Sequence, residues 1–217
     1  MTDLLTQNSK IKHTGQLHGQ RLFNFGIPAG FSSTGLKTCP MAGTCAIGCY
    51  AKAGAYIWGN VKPAYEHRLA ITQQANFKEL MNAELRRKRA SVVRIHDSGD
   101  YYSLDYIMAW FAIMIENPTV KFYSYTKMVP LFLRLEQQSR IPANFTLIYS
   151  FGGLADKQID ITKHRHSAVF PDRATLDAAG YAYASEDDLV AVGSNPRIGL
   201  VYHGGKAKAW TAGGKAA

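Results

Sequence analysis

The sequence predicts an α/β fold, either a partial (β/α) barrel or a curved, mostly parallel sheet with helices on its outside. Three observations lead there. Short runs rich in β-branched and aromatic residues alternate with helical stretches from residue 21 to about residue 151, the pattern of parallel strands joined by helical crossovers. The chain has 217 residues, 47% of them hydrophobic, enough for one substantial core but short of the about 250 residues that a closed eightfold barrel usually takes. Four successive strands end in polar or glycine-rich text, as the ligand-binding rim of a parallel sheet does. A single domain over residues 1–217 is expected, with 1–20 as an N-terminal extension and 206–217 as a flexible tail.

Residues 1–20 are polar and carry little periodic signal. Residues 21–28 read as the first strand, ending at a turn, and a loop rich in Gly, Ser and Thr follows from 29 to 59. Pro63 stands where a helix tolerates proline, in its first turn. Apolar positions from Ala64 to Leu85 continue that helix, with a break near Asn76 that would divide it in two. Residues 91–96 form the second strand and run directly into Asp97-Ser98-Gly99-Asp100. Ser103 is an N-cap for the next helix, which Asn117-Pro118 stops. Residues 120–126 are the third strand, 129–138 a helix, and 145–151 the fourth strand before Gly152-Gly153. Beyond that point the alternation blurs. Residues 166–170 and 189–192 read as short strands, and 198–202 as a last one that pairs with its predecessor across Asn195-Pro196.

Charged residues make up 19% of the chain, and its apolar content excludes a disordered protein. No apolar run approaches the roughly 18 residues of a membrane span. The N-terminus has no basic patch followed by an apolar stretch, so a cytoplasmic location without membrane contact is expected. The net charge of +9 raises nucleic acid as a partner, although no nucleic-acid module is recognisable. The densest basic run, Arg86-Arg87-Lys88-Arg89, falls at a predicted helix end, where it also complements the helix dipole.

The chain has three cysteines, and Cys39, Cys45 and Cys49 lie within one loop in the spacing C-x5-C-x3-C. An odd number of thiols in a reducing compartment points to metal binding or catalysis rather than a disulfide framework. Three thiolates can hold a cuboidal iron–sulfur cluster by three corners and leave the fourth iron open to a small molecule. Gly43 and Gly48 can supply turns and amide donors close to sulfide. A structural zinc site is the rival, and it would need a fourth ligand such as His96 or His203. His96, Asp97, Ser98 and Asp100 place a histidine, two carboxylates and a hydroxyl around a glycine at a strand end, which suits ligand contact. A helix-capping loop is the plainer alternative there. Lys127, at the end of the third strand, can meet a carboxylate or phosphate. Gly152-Gly153 fits a close backbone approach or a simple turn, and His164 and His166 read as surface residues.

Several of these features recur together: the cysteine loop closing in Cys49-Tyr50-Ala51, Ile95-His96-Asp97-Ser98-Gly99-Asp100, a helix with Trp110, and Phe122-Tyr123-Ser124-Tyr125-Thr126-Lys127. This combination resembles a family of small phage- and prophage-encoded three-cysteine iron–sulfur proteins related to radical S-adenosylmethionine enzymes, over roughly residues 25–155. The resemblance implies a partial (β/α) barrel and a [4Fe-4S] cluster carried by Cys39, Cys45 and Cys49. It also implies S-adenosylmethionine at the open iron, with Asp97, Ser98 and Asp100 lining its methionine part, an electron donor, and the host-cell cytoplasm. The loop spacing differs from the C-x3-C-x2-C usual in radical enzymes, and no Gly-Gly-Glu follows the second strand. The alternative is therefore a redox or structural iron–sulfur or zinc protein of phage origin, associated with nucleic acid.

Overall fold

A computed structural model describes residues 3–202. Seven strands form one curled, wholly parallel sheet, a half-barrel with helices around it. The strands are β1 (Leu22–Phe25), β2 (Val92–Ile95), β3 (Lys121–Thr126), β4 (Phe145–Ser150), β5 (His166–Phe170), β6 (Ala182–Tyr183) and β7 (Arg197–Val201), in spatial order β1-β2-β3-β4-β5-β7-β6. The helices are α1 (Ser9–Leu17), α2 (Val61–Thr72), α3 (Phe77–Lys88), α4 (Leu104–Glu116), α5 (Val129–Gln137) and α6 (Arg173–Ala178). As the break near Asn76 suggests, α2 and α3 are separate helices.

Alternation along the strands sends residues to two cores. Phe25, Val93, Ile95, Phe122 and Tyr149 point outward into the layer beneath the helices. There α4 buries Trp110, which meets Phe25 and Phe77 edge-on at ring separations of 5.2 and 5.5 Å. Each such ring, fully withdrawn from water, contributes about 1.5–3 kcal/mol. Ser103 caps α4, accepting from the Tyr106 amide at 3.1 Å. The opposite face of the sheet carries Leu22, Val92, Tyr123, Ile148 and Ile198 into a smaller inner core.

The end of that inner core is closed by two segments that the sequence describes differently. The N-terminal extension holds α1, capped by Asn8, whose side chain accepts from the Ile11 amide, and Ile11 is fully buried. Residues 189–192, expected as a strand, lie instead in a 3-10 turn spanning Asp188–Val192. Asp187 caps the turn by accepting from the Leu189 amide, and the Asp188 amide donates to Thr14 of α1. An apolar run this short has no periodicity to separate strand from turn. The expected pairing of 189–192 with 198–202 is therefore absent, and β7 lies between β5 and β6. His166 also differs from its surface reading. It is fully buried on β5, with Nδ1 at the His164 carbonyl and Nε2 at the Tyr181 hydroxyl. Phe151 and Tyr181 pack edge-on against its ring and cover it from water. His203 and the tail 206–217 lie outside the described residues.

Candidate functional site

The loop after β1 crosses the C-terminal mouth of the half-barrel and carries all three cysteines. Local hydrogen bonds fix its path. The Thr38 amide donates to Gly30 O (2.8 Å), the Thr38 hydroxyl to Pro28 O (2.5 Å), and the Asp100 amide to Thr38 O (3.0 Å). The Gly30 amide donates to Cys39 Sγ at 3.3 Å. Farther along, the Gly43 and Cys45 amides both donate to Gly152 O, at 3.0 and 3.1 Å, and the Leu154 amide donates to Met41 O. The two glycines after β4 thus receive the backbone of the cysteine loop. Gly43 has no room for a side chain, because a Cβ there would stand 2.8 Å from the Gly153 carbonyl carbon and oxygen.

Cys39, Cys45 and Cys49 are each half-buried and line one cavity of about 230 Å³. Arg94, His96, Ser98, Asp100, Tyr125 and Lys127 line the same cavity. Burial pushes the Cys39 thiol up to about 12, with the Asp100 carboxylate adding to the rise. Burial also raises Cys45, against an opposing pull from Lys127. These thiols therefore stay protonated at neutral pH unless a cationic centre displaces the proton. Among the described residues, no three His, Cys, Asp or Glu side chains converge closely enough to hold a single metal ion. A tetrahedral zinc would draw its sulfurs to about 3.8 Å of each other. A cuboidal cluster takes each thiolate on a different iron and tolerates wider separation. The three thiols are soft donors, one of them accepts an amide hydrogen bond, and all three line one cavity.

The turn after β2 is shaped by backbone conformation. His96 has φ of 64°, the left-handed region, and Gly99 has φ of 80°. A Cβ at Gly99 would stand 2.3 Å from Ile27 Cγ1. The buried His96 ring has Nε2 3.0 Å from the Tyr106 hydroxyl and Nδ1 without a partner, and burial lowers its pKa to about 3. Asp100 joins the turn to β3: it accepts from Thr126 Oγ1 (2.6 Å), the Tyr101 amide (2.8 Å) and the Lys127 amide (2.9 Å). Burial raises its carboxyl, and those hydrogen bonds oppose the rise. Lys127 Nζ donates to Ser150 Oγ at 2.8 Å, linking the ends of β3 and β4.

His96, Ser98, Asp100 and Lys127 thus share the cysteine cavity, whereas Asp97 does not line it. The Asp97 carboxylate accepts from Asn24 Nδ2 (2.6 Å) and the Tyr65 hydroxyl (2.9 Å), and burial raises its pKa. Only its backbone serves the cysteine loop, accepting from the Tyr50 hydroxyl at 2.5 Å. Of the basic run at the end of α3, Arg87 pairs with Asp3 and Glu84 (both 2.6 Å) and Lys88 pairs with Asp3 (2.5 Å). Among the described residues, no helix is long and apolar enough to cross a membrane.

Two residues here were not singled out from the sequence, Arg94 and Asp188, and Tyr125 entered only as part of the run 122–127. Arg94 alternates with Val93 and Ile95 on β2, and Tyr125 with Ser124 and Thr126 on β3, so both point away from the outer core. An arginine inside Val92-Val93-Arg94-Ile95 was itself a signal of a buried charge.

A parallel α/β half-barrel with three thiols at its mouth is the class that fold and site define. The chain belongs to the GP88 (Gene product 88) family, whose profile matches residues 2–216. The Gene 88 protein of Mycobacterium phage L5 is 29% identical over 127 residues, covering 53% of this chain and 52% of that protein. The chain spans about half the length of this curated relative. The expected kinship with phage proteins stands at this level, and neither description names a cofactor, ligand or reaction. No solved structure matches the chain.

Proposed function

We propose that this protein is an iron–sulfur protein in which Cys39, Cys45 and Cys49 hold a [4Fe-4S] cluster whose fourth iron faces the cavity and accepts a small molecule. One observation carries the reading: the chain's three thiols and the polar ends of β2, β3 and β4 meet at a single cavity. Among the described residues the donors do not converge on one metal ion, which counts against a zinc site and lends the cluster no support of its own. In this proposal the Gly30 amide stabilises the Cys39 thiolate, and the clamp between Gly43 and Gly152-Gly153 fixes the loop. Asp100 holds the turn against β3, while Ser98 and Lys127 offer polar contacts to the bound molecule. His96, neutral because it is buried, does so as an uncharged hydrogen-bonding group. When bound, such a cluster supplies one electron to a molecule at its open iron.

S-adenosylmethionine is the molecule we propose for that position, through the resemblance to radical enzymes. The test is EPR of anaerobically prepared, reduced protein with and without S-adenosylmethionine. The expected result is a cluster signal that S-adenosylmethionine alters. A cluster signal that does not change would remove S-adenosylmethionine and leave the cluster. A colourless protein without iron would remove both.

A further inference from the structure

Behind the cavity wall, one buried carboxylate is shared between two cations, one of which lines the cavity. Asp188 is fully buried and is shared: Oδ1 meets Lys10 Nζ at 2.5 Å and Arg94 Nη1 at 2.9 Å, and Oδ2 accepts from the Tyr123 hydroxyl. One carboxylate therefore faces two cations. Arg165, close enough to act electrostatically on Tyr125, donates only to the backbone carbonyls of Ala191, Gly193 and Asn195.

The Arg94 side chain is 15% exposed, and the cavity is one of its boundaries. Its Nη1 is committed to Asp188, but Nε is buried without an acceptor. The guanidinium stands over the Tyr125 ring, 5.1 Å from the centroid, and the Tyr125 hydroxyl is likewise buried without a partner. Two orphaned donors on adjacent strands, carried by two residues that line one cavity, make an incomplete polar site. A planar guanidinium with Nη1 used and Nε unpaired matches an oxyanion in shape as well as charge.

The geometry points to an oxyanion subsite on the cavity floor, in which Arg94 and the Tyr125 hydroxyl receive a carboxylate or phosphate group of the small molecule. This deepens the reading above by naming the ligand chemistry of the same cavity, but it needs no iron. Arg94 and Tyr125 act here as binding residues, and the cysteines at the mouth stand above the anchored group.

The test is titration calorimetry at constant ionic strength with two probes, sodium phosphate and sodium acetate. It uses the full chain, Arg94→Gln and Tyr125→Phe, with iron and sulfide assayed on the same samples. The expected result is one saturable site per chain for at least one anion, weakened tenfold or more by Arg94→Gln and severalfold by Tyr125→Phe. Preference for phosphate assigns a phosphate-bearing ligand, and preference for acetate a carboxylate. Should Arg94→Gln fail to fold, Tyr125→Phe decides, since it keeps the ring and the Arg94–Asp188 pair. The subsite is overturned by wild-type protein that binds neither anion, or by variants that bind as the wild type does. Anion binding by anaerobically isolated protein that carries no iron would sink the cluster and leave the subsite. An iron-loaded protein indifferent to both anions would do the reverse.

Discussion

Asp188→Asn removes the one carboxylate that Lys10, Arg94 and the Tyr123 hydroxyl share. Burial works against the Asp188 charge, and Arg94 and Lys10 more than reverse that, so its pKa is held below the usual value. Burial also pulls the Lys10 ammonium down, with Asp188 opposing, so the pair depends on close contact. Breaking a buried ion pair by removing one partner costs about 3–5 kcal/mol. Lys10 is 26% exposed and recovers some hydration, and asparagine can still meet Tyr123, so the lower end applies, about 3 kcal/mol. For a chain of this size that corresponds to a fall in melting temperature of about 6–12 °C. The assay is thermal unfolding of wild type and variant followed by circular dichroism. A group with a depressed folded pKa contributes its stability above the unfolded value and loses it as pH falls through the folded one. The gap between the two proteins should therefore hold from pH 8 to about pH 5 and narrow only below about pH 4. A fall under about 2 °C, or a gap that closes near neutral pH, would refute the reasoning.

Two further predictions concern the mouth. Gly43→Ala puts a methyl group 2.8 Å from the Gly153 backbone, an overpacking that costs about 1–3 kcal/mol. Melting temperature should fall by several degrees and anaerobically isolated protein should lose more than half its iron; unchanged values for both would mean that the clamp does not matter. His96 has a folded pKa lowered to about 3, so below pH 6.5 the unfolded chain binds a proton that the native protein refuses. Stability should fall as pH drops from 7 to 5 by about 2 kcal/mol more in wild type than in His96→Gln, measured by urea unfolding. Asp97 and Asp100, both raised by burial, act in the opposite sense but are common to the two proteins. Equal acid sensitivity would show that His96 is not held neutral.

The outer half of the structure was legible because it is written in side-chain pattern. β1 to β5 stand out as short runs of Val, Ile, Phe and Tyr, and the helices between them carry broad apolar faces and recognisable caps such as Ser103. The inner half was not. α1 touches the core through Ile11, Thr14 and Gly15, and its Leu17 is 61% exposed, so it has no apolar stripe to read. The turn at Asp188–Val192 resembles a strand because four of its five residues are apolar, yet its place is set by hydrogen bonds to α1 that no local pattern encodes. At the site, the cysteines, Ser98, Asp100 and Lys127 followed from where strands end. Asp97 did not, because the left-handed backbone of His96 ends the period-two rule and sends the next carboxylate toward Asn24 and Tyr65. Arg94 was visible but read as strand text, since its meaning depends on Asp188, 94 residues away.

The central claim is that the three thiols of one loop share one inorganic centre. Iron and acid-labile sulfide counted on anaerobically purified protein, beside Cys39→Ala, Cys45→Ala and Cys49→Ala, test it most directly. The account predicts about four of each per chain in the wild type and a large loss in every single variant. Wild-type protein free of iron, or any one variant retaining its full complement, would contradict it.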